Sequence, residues 1–175
     1  MGENTHMIVI KVILLLIAFL ACSYIGRTIA LQYKKRVEEL KEVKKSFIAI
    51  ETKMKYTYEI LPEIFIEISK GLKPSICKIF ENAALLMKQN NAKQAWIEAI
   101  KTSKTSMTKE DLEILKGFGK LLGKTDVQGQ VSQIELTNQF LETQIEKAEK
   151  DLAKNEKLYK TLGNVFGLAL VILLI

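Results

Sequence analysis

The two ends of the chain are apolar, and the region between them carries nearly all of the charge. From Met7 to Ile25 the sequence is apolar except for Lys11, whose long side chain can return its ammonium group to the lipid headgroups. At ~1.5 Å per residue, a helix of this length covers the ~30 Å hydrocarbon core of a bilayer. The pattern predicts a transmembrane helix over residues 7–26. A signal peptide is the alternative, because a basic residue, an apolar run and small residues have that general shape.

The C-terminal segment, residues 159–175, has no charge after Lys160. Counted from Leu162 it is roughly 21 Å long as a helix, so it spans a bilayer only with Tyr159 at the interface, local thinning or a partner helix. A buried core helix is the alternative, but the last residues lack the polar face that such a helix normally shows. The pattern favours a second hydrophobic membrane segment.

Basic residues flank both apolar ends on the inner side. Between Arg27 and Lys45 there are seven basic and three acidic residues, whereas the chain before Lys11 has no lysine or arginine. Loops with this excess stay in the cytoplasm. We therefore expect residues 27–158 to form a cytoplasmic domain. The residues predicted to set the membrane orientation are Arg27, Lys34, Lys35 and Arg36.

Apolar residues recur at a/d heptad spacing in two stretches of the central region. The first stretch, Leu40–Leu61, predicts one long amphipathic helix. The second, Ile134–Leu162, is interrupted by Asn138 and Asn155. No stop signal follows Thr125, so this helix is expected to continue into the C-terminal segment. Either stripe can form the core of a helical bundle or the seam of an inter-chain coiled coil.

Shorter helices are predicted between the two long ones. Pro62 and Pro74 suit the start of a helix, which predicts one helix over Pro62–Lys70, ended by Gly71, and another from Pro74 toward Asn90. Three capping pairs mark further helix starts. The pairs are Asn91 with Gln94, Thr108 with Asp111 and Thr125 with Gln128. The expected fold class is all-α: a bundle of about six helices between an N-terminal transmembrane helix and a C-terminal membrane segment.

Composition argues against several classes of function. The net charge is +6, but only Arg27 and Arg36 among 26 basic residues are arginine. Base-reading surfaces favour the planar guanidinium, so a nucleic-acid partner is not expected. The single histidine, His6, gives neither a catalytic triad nor a histidine–zinc site, and Cys22 and Cys77 lack metal-ligand spacing. We expect no enzyme activity, no metal, no cofactor and no small-molecule substrate.

One segment approaches a phosphate-binding loop. Gly119, Gly123, Lys124 and Thr125 read G-x-x-x-G-K-T, which is one residue short between the glycines, and no strand precedes them. An ATPase is therefore the weaker hypothesis. We interpret the segment as a turn between helices.

The same segment carries a family resemblance. Its marked positions are Phe118, Gly119, Leu122, Gly123, Asp126 and Gln130. Together with Ala95-Trp96 and the order of the elements, they resemble the stage III sporulation protein AB family of endospore-forming bacteria. The resemblance covers the chain from Met7 onward. Residues 1–6 lie outside it and are expected to be disordered or a non-native start.

That family is similar in turn to the cytoplasmic helical domain of the type II secretion F platform proteins. The resemblance implies a non-enzymatic platform or adaptor in the mother-cell membrane, within the channel complex that joins mother cell and forespore. Implied partners are the stage III sporulation ATPase, other channel-complex proteins and membrane lipids, and the six marked positions are the candidate partner-binding residues. The secretion proteins usually read Gly-Glu-x-x-Gly, whereas Lys120 replaces the acidic residue here. The alternative is a generic two-anchor membrane scaffold or receptor unrelated to sporulation.

Overall fold

The computed structural model describes residues 2–57, 59–120, 122–123 and 125–174, and of residues 2–10, 12, 173 and 174 it describes the helical backbone alone. The described residues form helices and no strand, which confirms the all-α prediction. The helices are α1 (Gly2–Tyr56), α2 (Leu61–Ser69), α3 (Pro74–Leu86), α4 (Ala92–Thr102), α5 (Lys109–Phe118) and α6 (Val127–Leu174).

The chain divides into two compact units. The central unit is Lys35–Glu149, and the terminal unit comprises the residues up to Lys34 and those from Lys150 onward. The central unit lies inside the range 27–158 expected for the cytoplasmic domain. As predicted, α6 continues without a break into the C-terminal apolar segment.

The helical backbone of α1 includes residues 2–6, for which we expected disorder or a non-native start. Adding one residue to an existing helix adds one backbone hydrogen bond, so a helix end extends readily. Met1 and the side chain of His6 lie outside the described residues.

Two predicted helix ends are wrong by several residues. The helix predicted over Leu40–Leu61 ends at Tyr56, because Ile60 is extended (φ −76°, ψ 149°) and Pro62 sits in the first turn of α2. The helix expected to run toward Asn90 ends at Leu86, where i→i+3 turns follow.

The predicted caps hold at two of three positions. Asn91 accepts a hydrogen bond from the Gln94 amide at 2.9 Å, and Thr108 and Asp111 form a reciprocal capping box. The third prediction, Thr125, is wrong. The Oδ1 atom of Asp126 instead accepts from the Gly129 amide at 2.9 Å, and α6 starts at Val127. A carboxylate suits this position because it also interacts with the positive end of the helix.

An aromatic cluster forms the centre of the core. Trp96 on α4 is fully buried, and its ring lies 5.3–6.0 Å from four phenylalanine rings. Its indole nitrogen donates a hydrogen bond to the Leu115 carbonyl at 2.6 Å. The indole is therefore both packed and anchored. The four phenylalanines are Phe47, Phe65, Phe80 and Phe118.

Most stripe positions that lie in the central unit are buried within one chain, so there they form a bundle core. Their buried members are Leu40, Val43, Phe47 and Ile50 on α1, and Ile134, Leu141, Ile145 and Ala148 on α6.

In the terminal unit, α1 is a candidate membrane span. Among the described residues it is the one helix long and apolar enough, from Ile13 onward, to cross a bilayer. The described part of α6 is not apolar enough over a sufficient length to be a candidate span by itself.

Candidate docking site

Half of the predicted partner-binding residues are buried inside the central unit. Phe118 is 1% exposed, with its ring centroid 4.7 Å from that of Phe47. Gly119 is buried as well, and Leu122 is 3% exposed. These three residues hold the end of α5 and the following turn against the core, so they are not available to a partner.

Gly119 is needed for close packing. It caps α5 with an ordinary helical φ of −64°, and a Cβ atom here would lie 2.6 Å from Cδ1 of Trp96. Because the indole is anchored, any larger residue at this position would press on the core. Trp96 and Gly119 both belong to the family resemblance. Their contact packs the turn against α4.

Glycine is needed at position 123 because the backbone there is left-handed. Its φ is +71°, and among the described residues it alone has a positive φ. A side chain is penalised in this region, which glycine enters freely. The segment follows helix α5 and precedes α6, so the predicted turn between helices is confirmed. Lys124, the residue on which the phosphate-loop alternative depends, lies outside the described residues.

Asp126 and Gln130 hold the start of α6. Asp126 is exposed and caps the helix through Gly129. The Nε2 atom of half-buried Gln130 donates a hydrogen bond to the Thr125 carbonyl at 3.1 Å. Both side chains thus have a structural role while remaining at the surface.

Beside this turn the central unit carries an apolar groove of about 480 Å³, which we call the turn groove. Of the predicted partner-binding residues, Gly123 and Gln130 line it. Val127, also in its wall, is 51% exposed. Such a groove can receive apolar side chains of another protein. Its remaining lining residues are Met54, Thr57, Glu59, Leu61, Pro62, Ile64, Met87 and Ala92.

Three of the four predicted orientation residues, Arg27, Lys34 and Lys35, are exposed. The fourth, Arg36, is only 6% exposed. Its Nε and Nη2 atoms donate hydrogen bonds to the two carboxylate oxygens of Asp111 at 2.8 and 3.0 Å. Arg36 is therefore a core residue of the central unit, where this bidentate pair ties α1 to α5.

Gln144 on α6 extends this buried cluster. Its amide oxygen accepts from Arg36 at 3.3 Å, and its amide nitrogen donates to Glu110 at 3.0 Å. Burial raises the pKa of Asp111, but the hydrogen bonds from Arg36 and Thr108 outweigh burial and hold that pKa below its ordinary value. Three helices that are distant in sequence are thus joined through the Arg36 guanidinium of α1, which donates to the ionised Asp111 on α5 and to Gln144 on α6.

Sequence reasoning missed this cluster. A signal was present, since Arg36 is one of two arginines in a lysine-rich chain and arginine alone gives a planar bidentate contact to a carboxylate. Its partners could not be found, because Asp111 and Gln144 are 75 and 108 residues away.

Comparison with known proteins points to one family. The profile of the stage III sporulation protein AB family matches residues 11–175. A stage III sporulation protein AB of Bacillus subtilis (strain 168) is 30% identical over 158 residues, which span 88% of this chain and 92% of that relative. A solved structure of a stage III sporulation protein AB is similar with a TM-score of 0.61 and 25% identity, covering 67% of this chain and 96% of that one. The resemblance to the stage III sporulation protein AB family, inferred from the sequence, is confirmed.

Proposed function

Because the chain belongs to the stage III sporulation protein AB family, we propose that it is a membrane platform that docks a cytoplasmic secretion-type ATPase to membrane components of the mother cell–forespore channel complex. A role in sporulation follows from the family itself, which disfavours a scaffold unrelated to sporulation. The family name does not indicate a catalytic activity, and we propose a non-enzymatic adaptor.

The turn groove is the observation that carries the docking proposal. Most of its lining residues are apolar, and Val127 in its wall is 51% exposed. Soluble surfaces rarely keep large apolar side chains together unless something binds there. The residues of the family resemblance that reach the surface lie at this groove or at the helix start beside it.

A pair of matched substitutions on α6 tests docking. Val127→Glu places a charge in the groove wall, whereas Leu136→Glu places one at a similarly exposed position, 44%, outside the groove lining. Exposed positions tolerate such changes, so both variants should keep the wild-type melting temperature. Tagged full-length protein is then captured from detergent-solubilised sporulating cells, and co-purified ATPase is measured.

We expect Val127→Glu to lose the ATPase and Leu136→Glu to retain it. Retention by both variants would rule out the groove as the docking surface.

Orientation is the second part of the proposal. Arg27, Lys34 and Lys35 are exposed beside the candidate membrane span, so their excess positive charge supports a central unit on the cytoplasmic side. Reversing these three to glutamate should disturb topology, as measured by protease accessibility in intact protoplasts. Reversal of the exposed Lys101 and Lys104 is the control and should have no effect on topology. Equal tolerance of both sets would remove the charge argument.

The ATPase alternative has a direct test as well. Purified full-length protein should show no ATP hydrolysis that depends on Lys124. Hydrolysis that disappears in Lys124→Ala would overturn the non-enzymatic assignment.

A further inference from the structure

The terminal unit contains a close contact between the two apolar ends of the chain. A Cβ atom at Gly26 would lie 2.5 Å from the Tyr159 carbonyl oxygen and 3.0 Å from Cα of Gly163. A Cβ atom at Gly163 would in turn lie 2.9 Å from the Cys22 carbonyl. The backbones of α1 and α6 therefore touch, which only glycine permits.

The contact continues along both helices and fixes their register. One turn further along α6, a Cβ atom at Gly167 would lie 2.7 Å from the ring of Phe19 and 3.2 Å from its carbonyl oxygen. On the other side, the rings of Tyr33 and Tyr159 stack with centroids 5.8 Å apart. Gly26, Cys22 and Phe19 of α1 contact Tyr159, Gly163 and Gly167 of α6 in that order. Because residue numbers decrease along α1 while they increase along α6, the two helices are antiparallel. Gly163 and Gly167 are four residues apart, a spacing that lets membrane helices approach closely.

This register places the charge-free stretches of the two helices side by side. In α1 the stretch lies between Lys11 and Arg27, and in α6 it follows Lys160. Gly26 contacts Tyr159. The next residue in each helix, Arg27 and Lys160, therefore lies at a similar height along the axis of the helix pair. The stretches, residues 12–26 and 161–174, are ~22 and ~21 Å long, so they match each other closely.

The outward faces of this pair are apolar on both helices. Large apolar side chains that are exposed include Ile13 (50%), Leu16 (57%), Leu20 (57%), Leu168 (54%) and Ile172 (75%). In water this surface would be costly, whereas acyl chains cover it without loss.

We propose that the two ends insert into the bilayer together as one glycine-packed helical hairpin, in which the C-terminal segment crosses the hydrocarbon region as the partner of α1. The charge-free stretches of the hairpin are shorter than the ~30 Å core, and local thinning with Arg27 and Lys160 reaching to the headgroups accommodates the difference. The proposal is independent of sporulation and of ATPase docking. It explains how a segment that lacks the length and apolarity of a lone span is held in the membrane.

Disulfide cross-linking in native membranes tests the contact. Cys22 and Phe166 line one groove between the helices, while Leu168 is not among its lining residues. In full-length protein with Cys77→Ser, copper phenanthroline should cross-link Cys22 to Phe166→Cys but not to Leu168→Cys. Cyanogen bromide cleaves after Met7, Met54, Met87 and Met107 and so separates the two helices. A disulfide keeps their fragments, 8–54 and 108–175, together on a non-reducing gel.

A matched substitution tests the role of glycine. Gly163→Leu should lower the cross-linking yield about five-fold or more, which corresponds to losing about 1 kcal/mol of interhelical packing. Ala169→Leu, which adds the same side chain at an exposed position of the same helix, should leave the yield unchanged. Equal yields in both variants, or equal cross-linking from Leu168→Cys, would overturn the packed hairpin.

Chemical labelling tests membrane burial separately. With Cys22 and Cys77 replaced by serine, Leu168→Cys should react with a water-soluble maleimide only after detergent is added. Ala153→Cys, exposed in the charged part of α6, should react in both conditions. Equal labelling rates before detergent would place the C-terminal segment in water and overturn insertion.

Discussion

Replacing Gly119 by alanine probes how the turn is attached to the core. The added Cβ would lie 2.6 Å from Cδ1 of Trp96 and 3.4 Å from its Cγ, and the first distance is well inside van der Waals contact. The indole cannot move away without breaking its 2.6 Å hydrogen bond to Leu115 or displacing the surrounding phenylalanine rings. Overpacking of this kind costs about 1–3 kcal/mol of the free energy of unfolding.

Gly117 supplies the matched control, two residues earlier in the same helix. A Cβ atom there would have no neighbour within 4 Å. Alanine inside a helix is more favourable than glycine by roughly 0.5–1 kcal/mol, since glycine loses more backbone entropy on folding. The two substitutions therefore have opposite signs and should differ by about 1.5–4 kcal/mol.

Trp96 is the single tryptophan of the chain and is fully buried, so its fluorescence reports unfolding of the central unit directly. Full-length protein in detergent micelles is heated, and the melting temperature of each variant is compared with wild type. Each kcal/mol should shift it by roughly 2–4 °C for a chain of about this size. A Gly119→Ala protein as stable as Gly117→Ala would refute the close contact with Trp96.

Three further predictions concern side chains of the central unit. Arg36→Met leaves the Asp111 carboxylate buried without its partner and should cost about 3–5 kcal/mol in a urea titration, whereas Lys35→Met at the exposed neighbouring position should stay within about 0.5 kcal/mol. Folding lowers the pKa of Asp111. The ionised carboxylate therefore stabilises the protein fully above its ordinary pKa of about 3.9, and this stabilisation disappears as the pH falls through the lowered pKa. Asp111→Asn should accordingly flatten the pH dependence of the free energy of unfolding below about pH 4. Asp126→Ala removes the cap on Gly129 and should cost about 0.5–2 kcal/mol; an unchanged melting temperature together with loss of complex assembly in cells would assign Asp126 to partner binding instead.

Local patterns in the sequence were sufficient for the helices. Heptad spacing identified the buried faces of α1 and α6, because a helix brings every third or fourth residue to one side whatever surrounds it. The caps at Asn91 and Thr108 were equally predictable, since each hydrogen bond joins residues three positions apart. The end of α1 was harder to predict. The apolar spacing continues through Leu61, but the extended Ile60 and the helix start at Pro62 end α1 before that residue.

The roles of individual residues in the candidate site depended on contacts between distant parts of the chain. The sequence marked Gly119 and Gly123 alike, yet one is required by the Trp96 ring from another helix and the other by its own positive φ. Arg36 looked like a membrane-flanking charge until Asp111 and Gln144 were brought against it.

The all-α architecture, the apolar ends and the family could all be inferred from the amino-acid sequence, because hydrophobic periodicity, capping and motif spacing are properties of neighbouring residues. The folded structure was needed to learn which of the marked residues are buried, which reach the surface and which apolar segments pack on each other. Those outcomes depend on pairs such as Gly26 and Gly163, whose separation along the chain exceeds 130 residues, and no local pattern specifies which distant backbone a glycine will meet.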